Sequence, residues 1–79
     1  MKIEILTPRG KEFEGEIELL ILPTLAGEIS ILPKHCPLIS VLKGGRMKIK
    51  TKEKEIEKEI EGGIFQLQKD KGFLLLRQF

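Results

Sequence analysis

Residues Lys52 to Glu61 read KEKEIEKEIE, and the fold turns on whether this stretch is a helix or one arm of a hairpin. Taken by itself it favours a helix, because Ile56 and Ile60 are four residues apart and the Glu and Lys residues can pair along a helical face. Its flanks favour strands. Met47, Ile49 and Thr51 run into it in strand phase, and Ile56, Ile60, Gly62 and Ile64 resume a two-residue period after Lys52 to Lys54. A hairpin turning near Glu53 fits both flanks, and its charges of alternating sign then form a solvated surface.

Outward from this hairpin the same period recurs. Ile3 and Ile5, then Ile17, Leu19 and Ile21, alternate as half-buried strands do. Gly and Pro, from Pro8 and Gly10 to Gly72, cut the chain into pieces mostly too short for helices. Ile supplies eleven residues, and β-branched side chains suit a pleated sheet. The pattern predicts an all-β fold, a flattened antiparallel sandwich or barrel of roughly eight to ten short strands. Leu19 to Leu22 and Leu38 to Leu42 are apolar on both faces, so these strands are expected to bury one face in the core and the other under a loop or a partner.

Seventy-nine residues form one small domain, residues 1–79, with no room for a large internal cleft. Its 14 Lys and Arg against 12 Asp and Glu leave a net charge of +2, too little to hold nucleic acid or acidic lipid at long range. The start, MKIEILTPRG, carries neither a secretory signal nor an apolar run able to cross a bilayer, so a cytoplasmic setting is expected.

The inventory for chemistry is thin: one His, one Cys, one Asp, two Ser and no Tyr or Trp. One cysteine, Cys36, makes no internal disulfide, and with one histidine, His35, it makes no metal cluster. Adjacent residues in an extended chain point oppositely, so these two do not form a nucleophile and base pair. Cys36 is expected as a small buried hydrophobe and His35 as a loop residue bonded to nearby backbone. The glutamates alternate toward solvent, and no phosphate-binding glycine motif occurs. Phe13, Phe65 and Phe73 fall in strand patterns and are expected in the core rather than stacked on bases; Arg46, Lys48 and Lys50 share a strand face opposite Met47 and Ile49, which read as buried. No catalytic residue, cofactor site or metal site is assigned.

The most distinctive stretch is Gly27-Glu28-Ile29-Ser30-Ile31-Leu32-Pro33-Lys34-His35-Cys36-Pro37-Leu38-Ile39. It resembles the epsilon subunit of bacterial F-type ATP synthases, whose N-terminal domain carries G-E-x-G-(I/V)-L-P-G-H-A-P-L-(I/L). Thr7, Pro8, Gly10, Phe13 and Gly15 match an earlier motif of that family, and Gly62, Gly63, Ile64 and Leu67 a later one. Three motifs in the family's order span nearly the whole chain. The resemblance implies a non-catalytic subunit of the rotating central stalk, linking the gamma subunit to the membrane c-ring and coupling proton or sodium flow to ATP synthesis. It implies a c-ring contact at Gly27, Glu28 and Ile29 and a gamma contact at Leu32, His35, Pro37 and Leu38. It also implies a peripheral place on the cytoplasmic face of the bacterial membrane, with no nucleic acid and no direct bilayer insertion.

The sequence departs from the family at Ser30, Lys34 and Cys36, where Gly, Gly and Ala are usual, so any turn needing positive φ there is expected to be made differently. The family usually adds a C-terminal helical hairpin that inhibits ATP hydrolysis; with the sequence stopping at Phe79, that activity is not expected. The alternative is a biotinyl or lipoyl carrier domain, modified on Lys52 or Lys54 at the hairpin tip.

Overall fold

Alternation becomes nine strands in the computed structural model, which describes residues 1–79 and contains no helix. They are β1 (Lys2–Thr7), β2 (Gly10–Glu16), β3 (Leu19–Thr24), β4 (Gly27–Ile31), β5 (Leu38–Leu42), β6 (Gly45–Lys50), β7 (Glu55–Ile60), β8 (Gly63–Gln68) and β9 (Lys71–Leu76). The stretch that opened the question is a hairpin. Thr51 accepts the Glu53 and Lys54 amides on its hydroxyl, at 3.2 and 3.1 Å, and donates its own amide to the Lys54 carbonyl at 2.8 Å. That turn settles the competition with a helix, because it reverses the chain at Lys52 and Glu53 before a helical turn can form.

The strands run in the order β2-β1-β9-β8-β5-β3-β6-β7, with β4 on the free side of β3. A single register pair, Thr24 with Leu42, joins β5 to β3. The sheet therefore folds over at this seam into two layers, a five-stranded one (β2, β1, β9, β8, β5) and a four-stranded one (β4, β3, β6, β7). Its extents of 25 × 25 × 19 Å give the flattened shape expected. All pairings are antiparallel except β1 with β9, which is parallel and brings the two ends of the chain side by side.

Between the layers lie fifteen buried apolar residues, among them Ile3, Ile5, Leu20, Leu22, Ile31, Met47, Ile49, Phe65, Leu67 and Leu74. Met47 and Ile49 are inward, as read from the sequence. β3 is central, with β4 on one side and β6 and β5 on the other; Leu20 and Leu22 are buried and Leu19 and Ile21 half-buried. Gly72 leaves the space that the Phe65 ring fills: a Cβ there would stand 3.0 Å from the ring and 3.2 Å from Ile3.

Three expectations are corrected. Ile64 does not continue the inward phase of Ile60, because Gly62 and Gly63 take φ of +125° and +155° and reset the alternation; Phe65 and Leu67 point in and Ile64 points out. A Cβ on Gly63 would run into the Leu75 carbonyl oxygen, so only glycine makes this reset. Phe73 lies beside Leu75 on the outer side of β9, half-buried, while Leu74 and Leu76 take the inward places. Cys36 is exposed rather than buried, since it sits between two prolines in a loop outside the layers.

Candidate functional site

The two predicted contact groups lie toward opposite ends of β4 (Gly27–Ile31), with Gly27 and Leu32 roughly 17 Å apart along the extended chain and Ile29 midway. At one end the β3–β4 hairpin turns at Leu25 and Ala26. Thr24 builds this turn, accepting the Ala26 amide at 3.1 Å and donating its hydroxyl to the Gly27 carbonyl at 2.5 Å. Gly27 has φ of +118° and open space around it. Glu28 stands exposed on the outer side of β4, next to a small hollow lined by Ile21, Arg46, Lys48 and Glu57. Those cations are committed elsewhere: Arg46 pairs with Glu57 and Glu59 at 3.5 and 3.6 Å, and Lys48 with Glu57 at 3.4 Å. Ile29 turns the other way and packs against the core. Sequence reasoning missed Leu25, 71% exposed at the hairpin tip.

At the far end of β4 the chain leaves the sheet through Leu32 to Pro37. Pro33 in the second place, Lys34 at φ +67° in the third, and the His35 amide donating to the Leu32 carbonyl at 3.2 Å make a type II turn. The turn expected to be made differently without glycine instead keeps its positive φ, on a lysine. The Lys34 amide donates to Asp70 Oδ1 at 2.9 Å, across 36 residues of sequence. That bond holds the Asp70 carboxyl below the usual aspartate range, with help from the N-terminal ammonium 3.4 Å from Oδ2. His35 Nδ1 lies 2.7 Å from the Cys36 carbonyl, the local backbone bond expected of it. Leu32 and Pro37 are exposed, His35 is partly covered, and Leu38 is half-buried against the core.

Beyond Leu38 the surface becomes apolar. β5, β8 and β9 present Ile39, Val41, Ile64 and Leu75 outward, exposed by 70, 52, 46 and 50%. Val41 pairs with Ile64 and Ile64 with Leu75, so three of them form one row across three strands. A groove between Pro37–Ile39 and Gln66–Lys69 joins this row to the Leu32–Pro37 loop. The doubly apolar run Leu38 to Leu42 pointed to this face, but its neighbours on β8 and β9 could not be named before their phase was known.

Nothing else gathers reactive groups. No set of three or more His, Cys, Asp or Glu side chains is placed to hold a metal ion, and no helix is long and apolar enough to cross a membrane. Lys52 and Lys54 are exposed at the β6–β7 tip.

Residues 1–78 match the family model of the ATP synthase delta/epsilon chain β-sandwich domain. Among curated relatives, the ATP synthase epsilon chain of Brevibacillus brevis is 37% identical over 76 residues, covering 95% of this chain and 58% of that one. That of Alkalihalophilus pseudofirmus is 31% identical over 75 residues, covering 95% and 56%. The epsilon chain of Chlorobium limicola is 36% identical over 75 residues and is covered for 85% of its length. The chain thus spans about half the length of the first two relatives and most of the third. Solved structures also share the fold. A chain in the central stalk/c-ring structure of the Tetrahymena thermophila mitochondrial ATP synthase superposes with TM-score 0.85 at 17% identity, covering 96% of this chain and 62% of that one. One in the OSCP/F1/c-ring structure of the Euglena gracilis enzyme superposes with TM-score 0.89 at 15% identity, covering 96% and 49%. By the family match over its length and by its relatives, this chain belongs to the delta/epsilon chain β-sandwich family of ATP synthases.

Proposed function

We propose that this single domain is a non-catalytic rotor element of the ATP synthase central stalk, linking the gamma subunit to the c-ring and coupling proton or sodium flow to ATP synthesis. One observation carries the reading: the apolar row on the outside of the five-stranded layer, in a domain whose core is already complete. Ile39, Val41, Ile64 and Leu75 contribute little to that core. Fully burying one such side chain is worth roughly 1.5–3 kcal/mol, so a partner that covers the row gains several kcal/mol. In this reading gamma seats on the row and on Leu32, His35, Pro37 and Leu38, which the groove joins to it. Gly27, Glu28 and Ile29 serve the c-ring, Glu28 offering an uncommitted carboxylate to basic groups of the ring loops while Ile29 anchors its strand in the core. The role asks for stiffness rather than bond chemistry, and a close-packed interior transmits force with little deformation. The domain then sits at the cytoplasmic face of the bacterial membrane through its complex, without entering the bilayer.

A pull-down with the gamma subunit of the same complex tests the reading. Gamma is retained and the chain alone hydrolyses no ATP; absence of gamma from the bound fraction would refute it. Glu28→Lys tests the ring contact: the variant keeps its thermal midpoint within a few degrees, roughly the reach of a change below 1 kcal/mol in a domain this small, yet assembles less ring. A variant that loses stability but couples normally would remove Glu28 from the contact.

A further inference from the structure

Three non-glycine residues in the molecule have positive φ: Lys34 (+67°), Lys69 (+53°) and Asp70 (+60°). They meet at one contact. Lys69 and Asp70 are the whole of the loop between β8 and β9, a two-residue hairpin turn with both residues left-handed, the arrangement that normally favours Asn-Gly or Asp-Gly. Lys34 is in the third place of the type II turn, where glycine is the ordinary choice. Side chains in the left-handed region are costly and persist where surrounding contacts hold them. Here the contact is visible: Asp70 Oδ1 accepts the Lys34 amide at 2.9 Å, while Asp70 Oδ2 lies 3.4 Å from the N-terminal ammonium, which also reaches Glu16 at 3.3 Å. The Asp70 carbonyl in turn accepts the Lys2 amide at 3.2 Å. Asp70 is thus fixed to β1 on one side and to the turn on the other.

We propose that Asp70 is a positioning residue for the Leu32–His35 turn, its carboxylate holding Lys34 left-handed and so fixing how Leu32 and His35 are displayed. The value of that display to gamma rests on the contact reading above, and the two are tested separately. The turn itself is followed by amide hydrogen exchange on the free chain. Asp70→Gly is the informative variant, because glycine suits the two-residue hairpin turn while the carboxylate is lost, with its bond to the Lys34 amide and its ion pair to the N-terminal ammonium, which keeps Glu16 as a partner. A residue serving the hairpin alone would leave the distant turn untouched. The expectation is that Asp70→Gly speeds exchange at Lys34 and His35 at least tenfold, while Ile5 and Phe65 in the core stay protected. Asp70→Asn keeps an acceptor oxygen and stays near the wild type. Adding Lys34→Gly to Asp70→Gly restores protection at His35, since glycine takes the turn unaided.

Unchanged exchange at His35 in Asp70→Gly would overturn the proposal, as would Asp70→Asn behaving like Asp70→Gly. Should Asp70→Gly not fold, Lys34→Gly alone decides: it slows His35 exchange severalfold if lysine is held there against its preference, and leaves it unaltered if the proposal is wrong. Gamma affinity forms the second arm. A severalfold loss in Asp70→Gly, recovered by Lys34→Gly, supports both statements. The exchange response with unaltered affinity supports the positioning role and removes the turn from the gamma contact.

Discussion

On the four-stranded layer, the outward side chains of β6 and β7 include Arg46, Lys48, Glu57 and Glu59, which answer one another at 3.4 to 3.6 Å. On the middle of the five-stranded layer they include Ile39, Val41, Ile64 and Leu75, all exposed, with Gln66 and the half-buried Phe73 beside them. Both layers present the same kind of inner face to the same core, so folding alone does not explain why their outer faces differ. A charged face that pairs within itself needs only water. An apolar row across three strands is left wanting a partner, and its cost in solubility makes sense where one is supplied. The β1–β2 edge of the five-stranded layer returns to charge: Lys2 meets Glu14 at 3.1 Å, and Lys11 meets Glu4 and Glu14 at 3.6 and 2.9 Å. Charge therefore bounds the apolar surface on that side.

The two kinds of face meet on β8, where Phe65 and Ile64 are neighbours facing opposite ways. Phe65→Ala is expected to cost about 3–5 kcal/mol in urea unfolding, and Ile64→Ala less than about 1 kcal/mol. Equal losses would mean that Ile64 serves the core after all. Next in size is the partner effect: Ile64→Asp lowers gamma affinity by about thirtyfold or more, the scale of an interface hot spot, with its urea midpoint nearly unchanged. Calorimetric titration reads this, and undiminished affinity would leave the row without its partner.

Acid gives a smaller, graded effect. The Lys34 amide lowers the Asp70 pKa, and hydrogen bonds from Lys11 and Lys2 lower that of Glu14. Carboxyls depressed in the folded state add stability above their unfolded values, near 4, and lose that contribution as pH falls through the folded values. Stability should thus hold from neutral pH down to about 5 and decline below it. Asp70→Asn flattens part of that decline; an identical acid profile would show that the carboxylate is not engaged. The smallest effect belongs to the charged face. Glu57→Gln changes stability by less than about 0.5 kcal/mol, since exposed pairs are worth little.

What was legible in the sequence depended on how local its cause was. The hairpin at Lys52 to Glu61 could be read because its flanks carried the strand phase, and the turn that settles it is made by Thr51 within four residues. The inward places of Met47 and Ile49 followed from the same alternation. Ile64 and Phe73 were misread for a physical reason: Gly62 and Gly63 reset the phase, and an alternating pattern carries no mark of where a reset occurs. Cys36 was misread because composition favours burial of cysteine, whereas its loop has no layer above it. The parallel neighbours β1 and β9 come from opposite ends of the chain, and no turn between them announces the pairing. Lys34 is the clearest limit. Pro33 marks a turn, but the carboxylate that keeps a lysine in a glycine's place lies 36 residues away.

Side-chain hydroxyl-radical footprinting, on the free chain and on its complex with gamma, decides whether the apolar row is the docking face. The outer faces of the two layers are then read in one experiment. Ile39, Val41, Ile64 and Leu75 are expected to be strongly protected, with little change at Ile21 and Arg46. Protection of the charged face with the apolar row still labelled would contradict it.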